Sequence, residues 1–289
     1  MYASQRSLFL TAAGLGLWLL SIWLLSVATA PALAQGTGSM IFPKRVVFTG
    51  RTRSAEVTLV NSGTQPVTYR VELIDQRMTP AGGLEAPSEP MERSATGLLR
   101  YSPRQVTVPP GSSQMVRLLL RKPADLPPGE YRAHLLCRAL PPEDAVADIE
   151  SLKDGKDLAV RVVPLPAVSI PIIVRQGDDL RAAVRLSGLA FDTSRPALSF
   201  RLGREGGASV YGDLTATFQP AGSGPERVVL RARGVSVYAE LPAIEQSLAV
   251  QAGDGASLAH GRLRLRFLSR PADDGNGPQV SAEAELQVP

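Results

Sequence analysis

Apolar and polar residues alternate over short stretches along most of this chain, and each stretch ends in a turn-forming cluster. Val57 and Leu59 share one face of residues 55–61, and Val67, Tyr69, Val71 and Leu73 share one face of the next run. Val106 and Val108 precede Pro110-Gly111, and Val116, Leu118 and Leu120 follow it. Tyr131, Ala133, Leu135 and Cys137 line one face of residues 130–138. A period of two marks a half-buried β-strand, because successive side chains point to opposite faces. With residues 40–48 as a first strand and 78–97 as a long surface loop, the spacing predicts an immunoglobulin-type sandwich of about seven strands.

Strand patterns resume further on, at 186–191, 197–202, 209–218, 227–231, 235–241, 263–268 and 279–288, with Gly-rich turns between them. These predict a second β-sandwich. The polar break at 176–179 is the expected boundary, which divides the chain into 1–34, 35–175 and 176–289. The acidic stretch 141–156 lacks a strand pattern. The extended run 158–175 carries Pro164, Pro166 and Pro171, each of which removes a backbone donor. An edge strand is therefore expected there.

The N-terminus sets the compartment. Arg6 precedes an apolar run over 8–27, and Ala32-Leu33-Ala34 fits the small-x-small cleavage pattern. Residues 1–34 are the expected export signal, and the mature protein is expected to start at Gln35 in the periplasm. If the apolar run is retained, it anchors the chain in the membrane, which is the expected membrane contact. The fold class is then all-β, two immunoglobulin-like β-sandwich domains after an N-terminal export signal.

The composition fits this outline. At 289 residues there is room for two domains, and 26 Gly and 24 Pro with 5% aromatics suit a turn-rich β protein. The net charge is +4, and Lys44, Lys122, Lys153 and Lys156 are the only lysines. Arg161, Arg185, Arg264 and Arg266 alternate with apolar residues as on a solvated sheet face. No clustered basic stripe points to nucleic acid.

His134 and His260 fall in separate predicted domains, and no His/Cys/Asp spacing suits zinc. Asp178-Asp179 and Asp273-Asp274 are expected as turn carboxylates. No Gly-rich loop precedes a helix. No catalytic residue, metal or cofactor is expected, and the protein is not expected to be an enzyme. The lone Cys137 is expected as a buried, inert thiol.

Three stretches carry a resemblance. Residues 101–118 run from Tyr101-Ser102-Pro103 through Val106-Thr107-Val108 and Pro110-Gly111 to Val116-Arg117-Leu118. Residues 40–50 place Arg45 three residues before Phe48, with Gly50 at the turn. Arg138-Ala139-Leu140-Pro141-Pro142 closes a strand. Together they resemble the first domain of the periplasmic chaperones that assemble bacterial pili by the chaperone–usher route. The resemblance covers residues 40–175. The second half is assigned by length, order and β pattern.

The resemblance implies binding and delivery. The partners would be pilus or surface-fibre subunits and an outer-membrane usher. Arg45 would anchor a subunit's terminal carboxylate in the cleft between the domains, where a guanidinium can grip it bidentately. Arg45→Ala would then lose the subunit while keeping the fold. The family's second anchor is a Lys on the last strand of the first domain. Ile170-Pro171-Ile172-Ile173-Val174-Arg175 resembles that run, and Pro171 stands in the place of the Lys. The same strand would complete an unfinished subunit through Leu158, Val160 and Val162, whose period puts them on one face. An alternative from the pattern alone is an Ig-like structural or adhesive surface protein, membrane-anchored by its N-terminus.

Overall fold

The computed structural model describes residues 38–142, 165–177, 180–222, 224–251, 258–274 and 278–289. The expected export signal, the donor residues Leu158, Val160 and Val162, and Asp178-Asp179 lie outside the described residues. The described residues belong to one compact unit, Gly38–Pro289. They form two β-sandwiches of the immunoglobulin-like kind.

The expected first strand is in fact two. β1 (Ser39–Phe42) and β2 (Val46–Phe48) belong to different sheets. Pro43 cannot donate to a ladder and Lys44 is exposed, so the chain leaves one sheet there and enters the other. In the first sheet β1 pairs with β3 (Ser54–Asn61), which pairs with β9 (Ser113–Leu120), and β7 (Leu99–Ser102) closes it. The facing sheet holds β4 (Val67–Ile74), β8 (Gln105–Val108), β10 (Gly129–Ala139) and β11 (Ala167–Gln176). Its order is β2-β11-β10-β4-β8.

Phe48, Leu59, Tyr69, Leu118, Leu135 and Ile172 fill the space between the two sheets, as the period-two pattern requires. Cys137 lies in this core, and burial pushes its thiol up to about 11. It is buried, as expected.

β11 is not the edge strand that its prolines suggest. It pairs antiparallel with β10 along its length and parallel with β2 over residues 172–174. Pro171 comes just before the first β2 pair, so it is tolerated where β2 is absent.

The second sandwich packs the sheet β12 (Ala182–Asp192), β13 (Ala197–Gly206) and β16 (Ala243–Ala249) against a four-stranded one. The latter holds β14 (Val210–Pro220), β15 (Arg227–Val237), β17 (Gly261–Ser269) and β18 (Ser281–Val288), in the order β15-β14-β17-β18. Phe200, Leu202, Phe218, Leu265 and Phe267 are central to its core. Two predicted strands, 227–231 and 235–241, are largely one: β15 runs through to Val237, with two register shifts against β14. β16 had no counterpart in the sequence pattern. Arg264 lies on the solvated face, bridging Glu283 at 3.1 Å and Glu285 at 2.7 Å.

The predicted surface loop 78–97 is partly structured and is not all surface. β5 (Arg77–Met78) and β6 (Leu84–Glu85) form a small hairpin that reaches the second sandwich. The amide of Glu245 in β16 donates to the Pro80 carbonyl at 2.8 Å. Met78 is 5% exposed and belongs to the second sandwich's core, although it is covalently part of the first. Met78→Ala should therefore lower unfolding free energy by about 2–5 kcal/mol, the usual range for emptying a buried Met site. Urea denaturation checks this; an effect under about 0.5 kcal/mol, as for a surface position, would show that the strap bears no load.

Candidate functional site between the two sandwiches

The sheet β2-β11-β10-β4-β8 buries both of its faces over its central strands. One face is the core of the first sandwich. The other meets the second sandwich, where Ile173 joins the second core and Val47 packs against it. Side chains two apart share a face, so the register defines rows across the sheet. His134 pairs with Pro171, and Arg45 stands one residue before the first β2–β11 pair, Val46 with Ile172. One row is therefore Arg45, Pro171, His134. The next is Val47, Ile173, Arg132, and beyond it Arg175 faces Glu130.

Charge is matched across the interface at two places. The first centres on Asp274, just after the 3-10 turn Pro271–Asp273 of the second sandwich. Arg45 Nη2 lies 2.9 Å from its Oδ1 and donates to Ser209 Oγ at 2.8 Å. Arg175 Nη2 donates to both carboxylate oxygens, at 3.1 and 3.0 Å, and its Nη1 to the Asp274 carbonyl at 2.8 Å. Arg175 Nε donates to Glu130 Oε2 at 3.0 Å, which also accepts the Ser209 amide at 3.0 Å. Burial opposes the charge on Arg175, but Glu130 and Asp274 more than offset it and raise its pKa. Breaking such a buried pair strands a charge without compensation.

The second place centres on Tyr238, just past the end of β15. Its ring lies under Arg132, with Cζ 3.7 Å from the centroid, and Arg45 Cζ is 5.8 Å away. His134 meets the same ring edge-on at 6.1 Å. Arg132 Nη2 donates to the Gln76 carbonyl and to Glu240 Oε1, which also accepts the Met78 amide at 3.1 Å. An aromatic face attracts a guanidinium without itself carrying a charge.

His134 is 1% exposed, and neither ring nitrogen has a hydrogen-bond partner among the described residues. Burial, and then the charges of Arg132 and Arg45, push its pKa down to about 3. The ring is neutral here because a third cation beside two guanidiniums has nothing to balance it.

Beside this cluster a cavity of about 590 Å³ opens between the sandwiches. Arg77, Arg93 and Arg132 bring positive charge to its wall, Glu92, Glu130 and Glu240 negative charge. Arg45 is not among its lining residues.

Of the residues singled out in the sequence, Arg45 and Pro171 fall next to one another on the interface face. Arg45 is 4% exposed and already engaged with Asp274. The expectation that Arg45→Ala would leave the fold untouched is therefore corrected: its removal also strips a counter-charge from Asp274. Asp274, expected as a turn carboxylate, is an interface counter-ion. Glu130 and Arg132 were missed and His134 was weighed only as a zinc ligand, although the three alternate with the core residues of β10 and carry the signal of a charged strand face.

No family model matches the chain, and no curated protein matches it by sequence. Solved structures similar to it include the YadV chaperone, at 14% identity and TM-score 0.43, covering 86% of this chain and 99% of that one. The Pseudomonas aeruginosa CupB2 chaperone is similar at 14% identity and TM-score 0.42, covering 86% and 100%. The Salmonella enterica SafB chaperone, solved in complex with the SafA pilin, is similar at 12% identity and TM-score 0.41, covering 84% and 95%.

Two outcomes follow from the geometry. Asp274→Ala should destabilise the protein by about 3 kcal/mol, because it leaves Arg45 buried without a counter-charge and Arg175 with Glu130 alone. The double variant Asp274→Ala/Arg45→Ala should recover part of that loss. A double-mutant cycle by urea denaturation measures the coupling, and strictly additive losses would disprove it.

The second outcome concerns pH. His134 titrates near 3 when folded and near its ordinary 6.5 when unfolded, so the unfolded chain binds the proton first. Stability is full above about 6.5 and falls with decreasing pH, by roughly 2 kcal/mol at pH 5 from this group. Denaturation between pH 7.5 and 5 should show that fall in the wild type and a flatter profile in His134→Leu.

Proposed function

We propose that this chain is a periplasmic chaperone that holds pilus or surface-fibre subunits by donor-strand complementation and delivers them to an outer-membrane usher. The observation that carries this reading is the setting of Arg45. Its guanidinium lies between two immunoglobulin-like sandwiches and already grips a carboxylate, that of Asp274, at 2.9 Å. A subunit's terminal carboxylate has the same chemistry and would be gripped by the same guanidinium when the subunit binds.

The task is binding, not catalysis. The sequence layout supports the rest: an export signal over 1–34 with the mature start at Gln35, a subunit-binding domain over 35–175, and a second domain over 176–289. The donor edge is Leu158, Val160 and Val162, whose alternation suits an apolar groove in an incomplete partner.

The double variant Val160→Asp/Val162→Asp tests the proposal. Two carboxylates would have to enter an apolar groove, so co-purification with a subunit encoded beside this gene should be lost. Thermal unfolding of the free protein should be unchanged. Subunit recovery equal to wild type would refute the donor edge; a variant that unfolds by itself would place these residues in the core.

A further inference from the structure

We propose that the second cation of the carboxylate site is Arg132, on β10, in place of the residue that β11 lacks at Pro171. This rests on the chaperone reading above and deepens it, by naming which side chain shares a peptide's terminal carboxylate with Arg45.

Three guanidiniums stand near the site, and donor accounting separates them. In Arg175 each nitrogen is already used, Nε on Glu130 and Nη1 and Nη2 on Asp274. In Arg45 and Arg132 one nitrogen each, Nη2, is engaged. Nε and Nη1 of both are buried with no hydrogen-bond partner among the described residues. A buried donor without an acceptor is costly, so these four nitrogens mark where an incoming acceptor is most rewarded.

Placement agrees. Pro171 separates Arg45 from His134 in its row, and Arg132 is two residues from His134 on the same face. His134 stays neutral at ordinary pH and adds no charge there. Arg132 is 4% exposed, yet it borders the cavity of about 590 Å³, which gives it a path to the outside. Both guanidiniums pack on the Tyr238 ring of the second sandwich, Arg132 Cζ 3.7 Å and Arg45 Cζ 5.8 Å from its centroid. On this proposal a carboxylate shared by the two displaces that ring. A terminal carboxylate, small and singly charged, can replace a ring face there; an amide end cannot supply the charge.

The probe is a synthetic strand peptide of alternating apolar residues that ends in a free carboxylate, compared with the same peptide amidated. Binding is read by calorimetry on the full mature chain. Wild type should prefer the free acid by roughly tenfold or more, the effect of one charge-assisted contact of this kind. Arg132→Gln should lose that preference while still binding the amide as wild type does. Arg132→Lys, which keeps the charge but not the flat guanidinium over Tyr238, should keep only part of it. It decides the matter if Arg132→Gln does not fold. Full acid preference in Arg132→Lys and Arg132→Gln, with its loss in Arg45→Ala, would overturn the assignment and leave the chaperone reading standing. No acid preference in wild type would overturn the carboxylate site itself, and this inference with it.

Discussion

Three arginines buried at one interface must each find compensation where they stand, and that requirement fixes how the two sandwiches meet. Arg45, Arg132 and Arg175 all project from the same sheet of the first sandwich. Glu130, from that sheet, is committed to Arg175 and to the Ser209 amide. The remaining compensation comes from the second sandwich: Asp274 for Arg45 and Arg175, Glu240 for Arg132. Desolvating a guanidinium without a counter-ion costs several kcal/mol, so sliding one sandwich against the other would be opposed at more than one point. Apolar contact alone, as between Ile173, Val47 and the second core, is less particular about position. The hairpin carrying Met78 adds a third fixed point, on the β16 side.

β10 shows why the site was hidden while the fold was plain. Tyr131, Ala133, Leu135 and Cys137 alternate with Glu130, Arg132 and His134, the pattern of a strand with one dry and one wet face. The dry face was assigned correctly. The polar face is also buried, because a second sandwich covers it. Period-two alternation reports polarity, not exposure. The clue available was the clustering of three ionisable residues on one strand face opposite a run containing Arg175.

The departures elsewhere have similar physical roots. Residues 40–48 read as one strand because the apolar pattern continues past Pro43, yet proline's missing donor lets the chain change sheets. β15 read as two strands because Arg231 to Val235 includes Gly234, whose left-handed backbone (φ 72°) sits within the bulged, continuous strand. β16 was invisible because Ala243-Ile244-Glu245-Gln246-Ser247 offers a single bulky apolar residue that is deeply buried, Ile244. β11 read as an edge because its prolines were weighed without knowing that β2 pairs only beyond Pro171. Of the site, Arg45 was legible through the resemblance to pilus chaperones that its spacing from Phe48 helps to carry. Asp274 lies far along the chain in a Gly-rich turn, where an aspartate is ordinary, and only the fold brings it to Arg45.

Tyr238 ties these features together. Two guanidiniums and an imidazole converge on one point of the interface, and a carboxylate placed there would compete with Asp274 and Glu240 for the same cations. A purely aliphatic side chain would take this contact from Arg132 and leave Arg45 only the Tyr211 ring, 5.1 Å from its Cζ. A tyrosine ring offers a negative π face to Arg132 and Arg45 and an edge to His134 while adding no charge. The cover is consequently weaker than an ion pair, as the donors left without partners show. The ring leaves Nε and Nη1 of both guanidiniums without acceptors, so a ligand that brings its own negative charge would be rewarded at either of them.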